Sequence, residues 1–337
     1  MTARRRRHAG PGRGPTLYDV ARAAGVSTAS ASRARSRPEL VSEAVHERVL
    51  AAMRALAYVP NAAAQVLSGR PSRLIGAVIS ALDDPLTACG LEALTAELGS
   101  RGVALILAIA GDGAEASAGC VRALIARGVD AIAFGGDATP IEPLQMNPPR
   151  KLACASFDAA GRGATWARSG FERTQALALA ARYLRQLGHR QIALHAMGNA
   201  HRLGAARSAI AGVGVDVSLV PAAPTGCAVD ATLDHWQALP HPPTAVICGS
   251  DAAAVAVLHE CARRAIEVPA RLSVVGLGDT ELARQARPAL STLRVPAREA
   301  GRALAHNLLA LLDDRPEAPP ELLAKLVARE STTGRRT

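Results

Sequence analysis

The chain has 337 residues, of which 49% are hydrophobic and 20% charged, with a formal net charge of +10. That length allows two or three domains with a large buried core, and no run approaches the roughly 18 uncharged apolar residues that would span a bilayer. The charge is localised: residues 1–73 carry 13 arginines against 4 acidic residues, a balance of +9. A short N-terminal module suited to a polyanion therefore precedes a nearly neutral body.

The first 15 residues are Arg/Gly/Pro-rich, with Arg4 to Arg7 in succession, and are expected to form a disordered basic arm. No apolar segment follows those arginines, so a secretory signal is not expected. The six cysteines, Cys89, Cys120, Cys154, Cys227, Cys248 and Cys261, are scattered and form no Cys-x-x-Cys pair. That argues against a metal site, a cofactor held by thiolates or a disulfide framework, and for a reducing, cytoplasmic setting.

Three short helices are expected next. Thr16 and Asp19 make a Thr-x-x-Asp cap for a helix bearing Leu17, Val20, Ala21 and Ala24, which Gly25 ends. Ser27 opens a second helix running to about Arg35, and Ser42 a third with Val45, Val49, Met53 and Leu56 on one face. Pro60 interrupts the chain, and Asn61 opens a short Ala-rich helix closed by Gly69 and Pro71. From Leu74 the rhythm changes. Strands are expected at Leu74–Ile79, Ala104–Ile109, Ala131–Phe134, Lys151–Ala155, Gln191–Leu194, Thr244–Cys248 and Leu272–Val275. Helical runs such as Leu91–Gly99, Cys120–Arg127, Thr174–Leu187 and Ala252–Ala265 separate them. This alternation indicates parallel sheets in an α/β body, with enough units for two doubly wound lobes.

Helix, Ala24-Gly-Val-Ser27, helix is the helix-turn-helix plan. Gly25 permits the left-handed backbone of the turn, while Val20, Ala21, Val26 and Ala31 are small enough for two helices to cross closely. Thr28, Ala29, Ser32 and Arg33 point outward on the second helix. Small side chains there let it sit deep in a major groove, where Arg33 could pair with guanine or clamp a phosphate.

The segments Thr16-Leu-Tyr-Asp-Val-Ala21, Ala24-Gly-Val-Ser27, Ser32-Arg33, Val41-Ser42 and Tyr58-Val-Pro-Asn61-Ala-Ala-Ala-Gln-Val-Leu67 closely resemble the DNA-binding signature of the LacI/GalR family of transcriptional regulators. The resemblance implies that Thr28 and Ala29 choose the operator half-site, with Arg33 as a further base or backbone contact. It implies phosphate contacts by Tyr18, Ser27, Ser32 and Asn61, and a hinge-helix wedge by Leu67 that kinks the central minor groove. Packing within the hinge is the competing role for Leu67. The Ala-rich segment is too short to be stably helical alone and would order on DNA beside its dimer mate.

The body resembles the family's periplasmic-binding-protein-like domain through Leu187-Gly-His-Arg-Gln-Ile192, Gly249-Ser-Asp251, Val268-Pro269, Val275-Gly-Leu-Gly-Asp279 and Pro288-Ala-Leu-Ser-Thr-Leu293. This implies two lobes closing on an effector at strand C-terminal ends, with chain crossings near residues 164, 292 and 318. Arg202 falls on the family's effector-binding arginine, although the preceding loop is short and Ala205-Ala206 replaces the usual Gly-aromatic; a surface arginine is the rival reading. Ser80, Asp158, Phe171, Ser250 and Asp279 are expected to line the cleft, Asp251 to cap the next helix, and His189 to be structural. Sugar-sensing relatives have two adjacent acids where this chain has Gly278-Asp279, and Leu86 and Thr87 stand where stacking aromatics are common. Loss of one carboxylate beside Arg202 favours an anionic effector, and the Gly-x-Gly-Asp variant with Ser250-Asp251 and Ser169-Gly170-Phe171 resembles the gluconate-responsive branch.

The expected organisation is an arm at 1–15, an all-α helix-turn-helix domain at 16–60, a hinge helix and linker at 61–71, and an α/β ligand-binding and dimerisation domain at 72–333. Its N-lobe would hold about 72–163 and 293–317, and its C-lobe about 164–291 and 318–333. The function implied is that of a nucleoid-associated homodimeric repressor on a pseudo-palindromic double-stranded operator of a carbohydrate or sugar-acid operon. A gluconate-like effector would control it. Without a leucine-heptad tail after residue 320, a dimer is expected rather than a tetramer. Two alternatives remain: a family member that binds DNA without small-molecule control, and a sugar-binding protein of transport type. An enzyme is disfavoured by the lack of Gly-x-x-x-x-Gly-Lys-[Ser/Thr], Gly-x-Gly-x-x-Gly and Gly-x-Ser-x-Gly motifs.

Overall fold

A computed structural model describes residues 14–59, 71–111, 113–135, 152–156, 167–168, 170–195, 200–214, 216–219, 229–315 and 320–334. The chain divides into two compact units, Met1–Ser72 and Arg73–Thr337. The expected disordered arm and hinge helix lie outside the described residues.

In the first unit, α1 (Leu17–Ala24), α2 (Thr28–Ser36) and α3 (Glu43–Ala55) enclose one small core. Val20, Ala21, Ala24, Ala31, Ala34, Val49 and Ala52 are buried there, with Leu17, Val26, Val45, Met53 and Leu56 packed around them. The core is almost entirely alanine and valine, which lets the helices approach closely. Local signals set the boundaries. Thr16 and Asp19 form a reciprocal capping box, and Gly25 ends α1 at φ 66°. A Cβ at Gly25 would meet little, so its left-handed backbone is what selects glycine.

The second unit contains two sheets. The first runs β2-β1-β3-β4-β5, with β1 Leu74–Ile79, β2 Ala104–Ile109, β3 Ala131–Gly135, β4 Ala153–Ser156 and β5 Ala167–Arg168, all parallel. The second runs β11-β10-β9-β8-β6-β7, with β6 Gln191–His195, β7 Asp216–Leu219, β8 Ala245–Cys248, β9 Ser273–Leu277, β10 Ser291–Arg294 and β11 Lys325–Val327. Only β11 is antiparallel to its neighbour. The helices between strands are α4 (Pro85–Ser100), α5 (Ala114–Ala126), α6 (Arg173–Gln186), α7 (Ala200–Ala211), α8 (Val229–Ala238), α9 (Asp251–Arg263), α10 (Glu281–Gln285) and α11 (Ala297–Leu312).

Central strands such as β1 and β9 are nearly fully buried, as parallel strands covered on both faces must be. Helix α11 joins the core of the first sheet, where Leu304, Ala305 and Leu308 meet Ile75, Leu94 and Ala131. Its contact with α4 is tight: a Cβ at Gly301 would lie 2.1 Å from the Gly90 carbonyl oxygen. Strand β5 pairs with β4 in the first sheet, and β10 pairs with β9 in the second.

Candidate DNA interface and effector site

Helix α2 is built to present one edge. Ala31 and Ala34 are fully buried against α1 and α3, while Thr28, Ala29 and Arg33 on the other side are exposed and Ser32 is half-buried. The Arg33 guanidinium has no partner among the described residues. Ser27 is the N-cap: its Oγ accepts from Ser30 N at 3.0 Å and pairs with Ser30 Oγ at 2.9 Å. Any phosphate contact by Ser27 therefore shares an oxygen that already fixes the start of α2. Tyr18 projects from α1 with 65% of its surface exposed. His46, which the sequence did not single out, joins its Nδ1 to the Ala34 carbonyl oxygen at 2.9 Å and ties α3 to the last turn of α2. Asn61 and Leu67 lie outside the described residues.

The expected effector residues are placed less simply. Ser80 follows β1, and its carbonyl accepts from Gly111 N at 3.1 Å. Arg202 lies in the first turn of α7; its side chain and Asp158 are outside the described residues. Phe171 is buried in the core around α6, pairing with Leu322 through an isolated bridge, so its ring is a packing element.

Ser250 takes the capping duty expected of Asp251. Ser250 caps α9 by accepting from Ala253 N at 3.1 Å. Asp251, 1% exposed, instead clamps the strand ends: Oδ2 accepts from Thr280 N at 2.7 Å and Thr280 Oγ1 at 2.8 Å, and Oδ1 accepts from Thr292 Oγ1 at 2.5 Å. Serine reaches back to the third amide, whereas the next side chain points under the sheet end.

Asp279, its side chain 3% exposed, is held by Arg329 at 2.5 Å and Arg294 at 2.6 Å, with Arg284 at 3.9 Å. Burial pushes its carboxyl up, but the hydrogen bonds from Arg329 and Arg294 outweigh this and keep it below its ordinary range. Its charge is committed to the protein. Arg173, in the first turn of α6, reaches the Gly249 carbonyl at 3.5 Å and adds a cation beside Ser250. No local signal in the sequence marks these arginines, because their partners lie far along the chain.

Among the described residues of the second unit, the buried thiols are poor nucleophiles. Burial raises the Cys248 thiol far above its ordinary range and Cys261 to about 11. Burial also lowers the His195 imidazole, which faces Trp236 edge-on. His189 is structural: Nε2 donates to the Thr333 carbonyl at 3.2 Å, and Nδ1 pairs with Thr244 Oγ1 at 2.9 Å. Among the described residues no His, Cys, Asp and Glu cluster is placed to hold a metal, and no helix is long and apolar enough to cross a membrane.

Residues 16–61 match the family of bacterial regulatory proteins, lacI family, and residues 181–332 match a periplasmic binding protein-like domain. The chain is similar to LacI-family transcriptional regulators along most of its length. Among the regulator's relatives, the repressor CytR of Escherichia coli K12 is 28% identical over 309 residues, covering 88% of this chain and 89% of CytR. The repressor PurR of Escherichia coli O139:H28 is 26% identical over 337 residues, covering 94% and 96%. The crystal structure of the Lac repressor dimer bound to operator and the anti-inducer ONPF superposes with a TM-score of 0.78 at 26% identity, covering 95% of this chain and all of that one. The regulator is thus a DNA-binding protein, not an enzyme.

Proposed function

We propose that this regulator represses a carbohydrate or sugar-acid catabolic operon, binding a pseudo-palindromic operator as a homodimer and responding to a small anionic effector. The observation that carries the proposal is the outer edge of α2, where Thr28, Ala29 and Arg33 stand exposed on a helix whose other side is fully packed. Such an edge fits a major groove, and two of them reach half-sites about one helical turn apart. Asn61 and Leu67 would add the phosphate contact and the minor-groove wedge. Dimer formation is supported by the edge strand β2, which exposes Leu107 at 40% and Ile109 at 54%. The organisation at 16–60, 61–71 and 72–333, with two lobes closing on the effector, belongs to the same reading, as does work in the cytoplasm on nucleoid DNA.

The effector class follows from charge. Gly278 supplies no carboxylate, and the carboxylate of Asp279 is already bound by arginines. Arg294 and Arg329 stand against Asp279 and Asp251 at the C-terminal ends of β8 to β10, so Arg202 would give these ends a positive surplus. A sugar acid such as gluconate meets that surplus; a neutral hexose leaves it uncompensated. Ser80, Asp158, Phe171, Arg202, Ser250 and Asp279 were the expected lining. Of these, Ser80, Arg202 and Ser250 are proposed as direct contacts, with Phe171 and Asp279 shaping the wall behind them.

Fluorescence anisotropy of the full chain on selected palindromes and random duplex, with and without gluconate or glucose, tests the proposal. Operator preference at physiological salt that gluconate alone changes is expected, with a coupling of about 1–3 kcal/mol. No preference for any palindrome would reject DNA recognition. Preference insensitive to every acid would favour a regulator without small-molecule control.

A further inference from the structure

A second cavity lies at the other end of the second sheet. His189, Thr244 and Leu272 immediately precede β6, β8 and β9, and together they line a space of about 1040 Å³ at the N-terminal ends of these parallel strands. The proposed effector contacts stand at the opposite, C-terminal ends. The volume is at the upper end of the range for small-molecule sites.

Part of its wall is apolar and stiff. Pro242, Pro243 and Pro269 contribute to it; proline fixes φ and brings no backbone N–H that would need a partner. Leu233, Ile266 and Leu272 extend the apolar surface. Its floor is satisfied, because His189 is hydrogen-bonded to Thr244 and to the Thr333 carbonyl. Trp236 is not: the side chain is 2% exposed and its Nε1 has no acceptor among the described residues. A buried N–H without a partner is costly.

Two opposite charges complete the cavity. Glu267 and Arg271 both line it, held close by the backbone bond from Arg271 N to Glu267 O at 2.8 Å. Among the described residues neither side chain has an ion-pair partner. Some acids elsewhere on this unit are paired, Glu260 with Arg263 and Arg264, Glu281 with Arg284 and Glu92 with Arg298. A free carboxylate and a free guanidinium above an apolar chamber match one chemistry. We infer that this cavity is a second small-molecule site, for an α-amino acid with a large apolar or aromatic side chain. Its ammonium would meet Glu267, its carboxylate Arg271, and its side chain the proline and leucine walls. The inference does not depend on the effector reading, since it uses none of those residues.

The test uses the full chain carrying Trp166→Phe, which leaves Trp236 as the only tryptophan. Titration with L-phenylalanine and L-leucine should change its emission saturably in the micromolar to millimolar range. N-acetyl-phenylalanine amide, which lacks both charges, should not compete, and gluconate should not displace either ligand. Glu267→Gln and Arg271→Gln should each weaken binding by roughly tenfold or more while the circular dichroism spectrum and melting temperature stay unchanged. Absence of a saturable response to about 10 mM, or a response that both variants retain, overturns the inference.

Discussion

Asp251 and Thr280 are joined by two hydrogen bonds to one carboxylate oxygen, from the Thr280 backbone N at 2.7 Å and the Thr280 hydroxyl at 2.8 Å. The other oxygen takes the Thr292 hydroxyl, so one buried carboxylate fixes the ends of β9 and β10 together. The neighbouring chain has adapted: a Cβ at Gly276 would stand 2.4 Å from Asp251 Oδ1. Asp251→Ala would strand a buried amide and two hydroxyls, at a cost of about 2–4 kcal/mol. Urea denaturation should show this as a lower midpoint with unchanged slope. A loss below roughly 0.5 kcal/mol would mean that the clamp is replaceable by water.

Gly301 and Gly99 offer a paired test of packing. Both lie in helices, where alanine is intrinsically better by about 1 kcal/mol. At Gly99 nothing lies within 4 Å of an added Cβ, so Gly99→Ala should stabilise by roughly 0.5–1 kcal/mol. At Gly301 the new methyl would meet the Gly90 carbonyl, and α11 must move away from α4. Gly301→Ala should therefore cost about 1–3 kcal/mol despite its better propensity. Thermal melts of the two variants should shift in opposite directions; a shift of the same sign would contradict the close approach.

Stability should depend on acid through Asp279. Its carboxyl titrates lower in the folded chain than the ordinary value of 3.8. The unfolded chain then binds the proton more readily, so the contribution is present above that ordinary value and disappears as pH falls through the folded one. Asp279→Asn should cost about 2 kcal/mol at neutral pH, less than a fully buried pair because Arg294 and Arg284 reach solvent. Measured from pH 7 downward, the gap to the parent should hold to about pH 4 and then narrow. A gap that widens in acid would reverse the assignment.

What could be read in advance was what is local. The caps at Thr16 and Ser27 and the break at Gly25 depend on residues three or fewer positions apart, and β1 and β2 are continuous apolar runs. Edge strands β7 and β11 span only four and three residues, too few for a periodic signal, and each pairs with a neighbour on one side. Distance in sequence also hid the clamping role of Asp251, since Thr280 and Thr292 are 29 and 41 residues from it. Phe171 looked like a cleft aromatic until Leu322 was found against it. The chamber near Trp236 is made by three separate strand entrances, none carrying a motif.

Arg33 separates binding from folding. It is exposed, and its guanidinium has no partner among the described residues, so Arg33→Ala should leave the unfolding free energy of the first unit within about 0.5 kcal/mol of the parent. Operator affinity should nevertheless fall by about 1–3 kcal/mol. If the arginine reads a guanine, the loss should be confined to cognate sequence and one position should become degenerate. If it holds a phosphate, affinity for all duplexes should fall together, and the slope of log affinity against log salt should shrink by about one. Exchanging Thr28 and Ala29 should do neither: these side chains carry no charge, so a changed half-site preference with an unchanged salt slope is expected. Anisotropy titrations at several salt concentrations on operator and scrambled duplex distinguish the three outcomes. Should Arg33→Ala bind every duplex as the parent does, α2 would not be the helix that meets DNA.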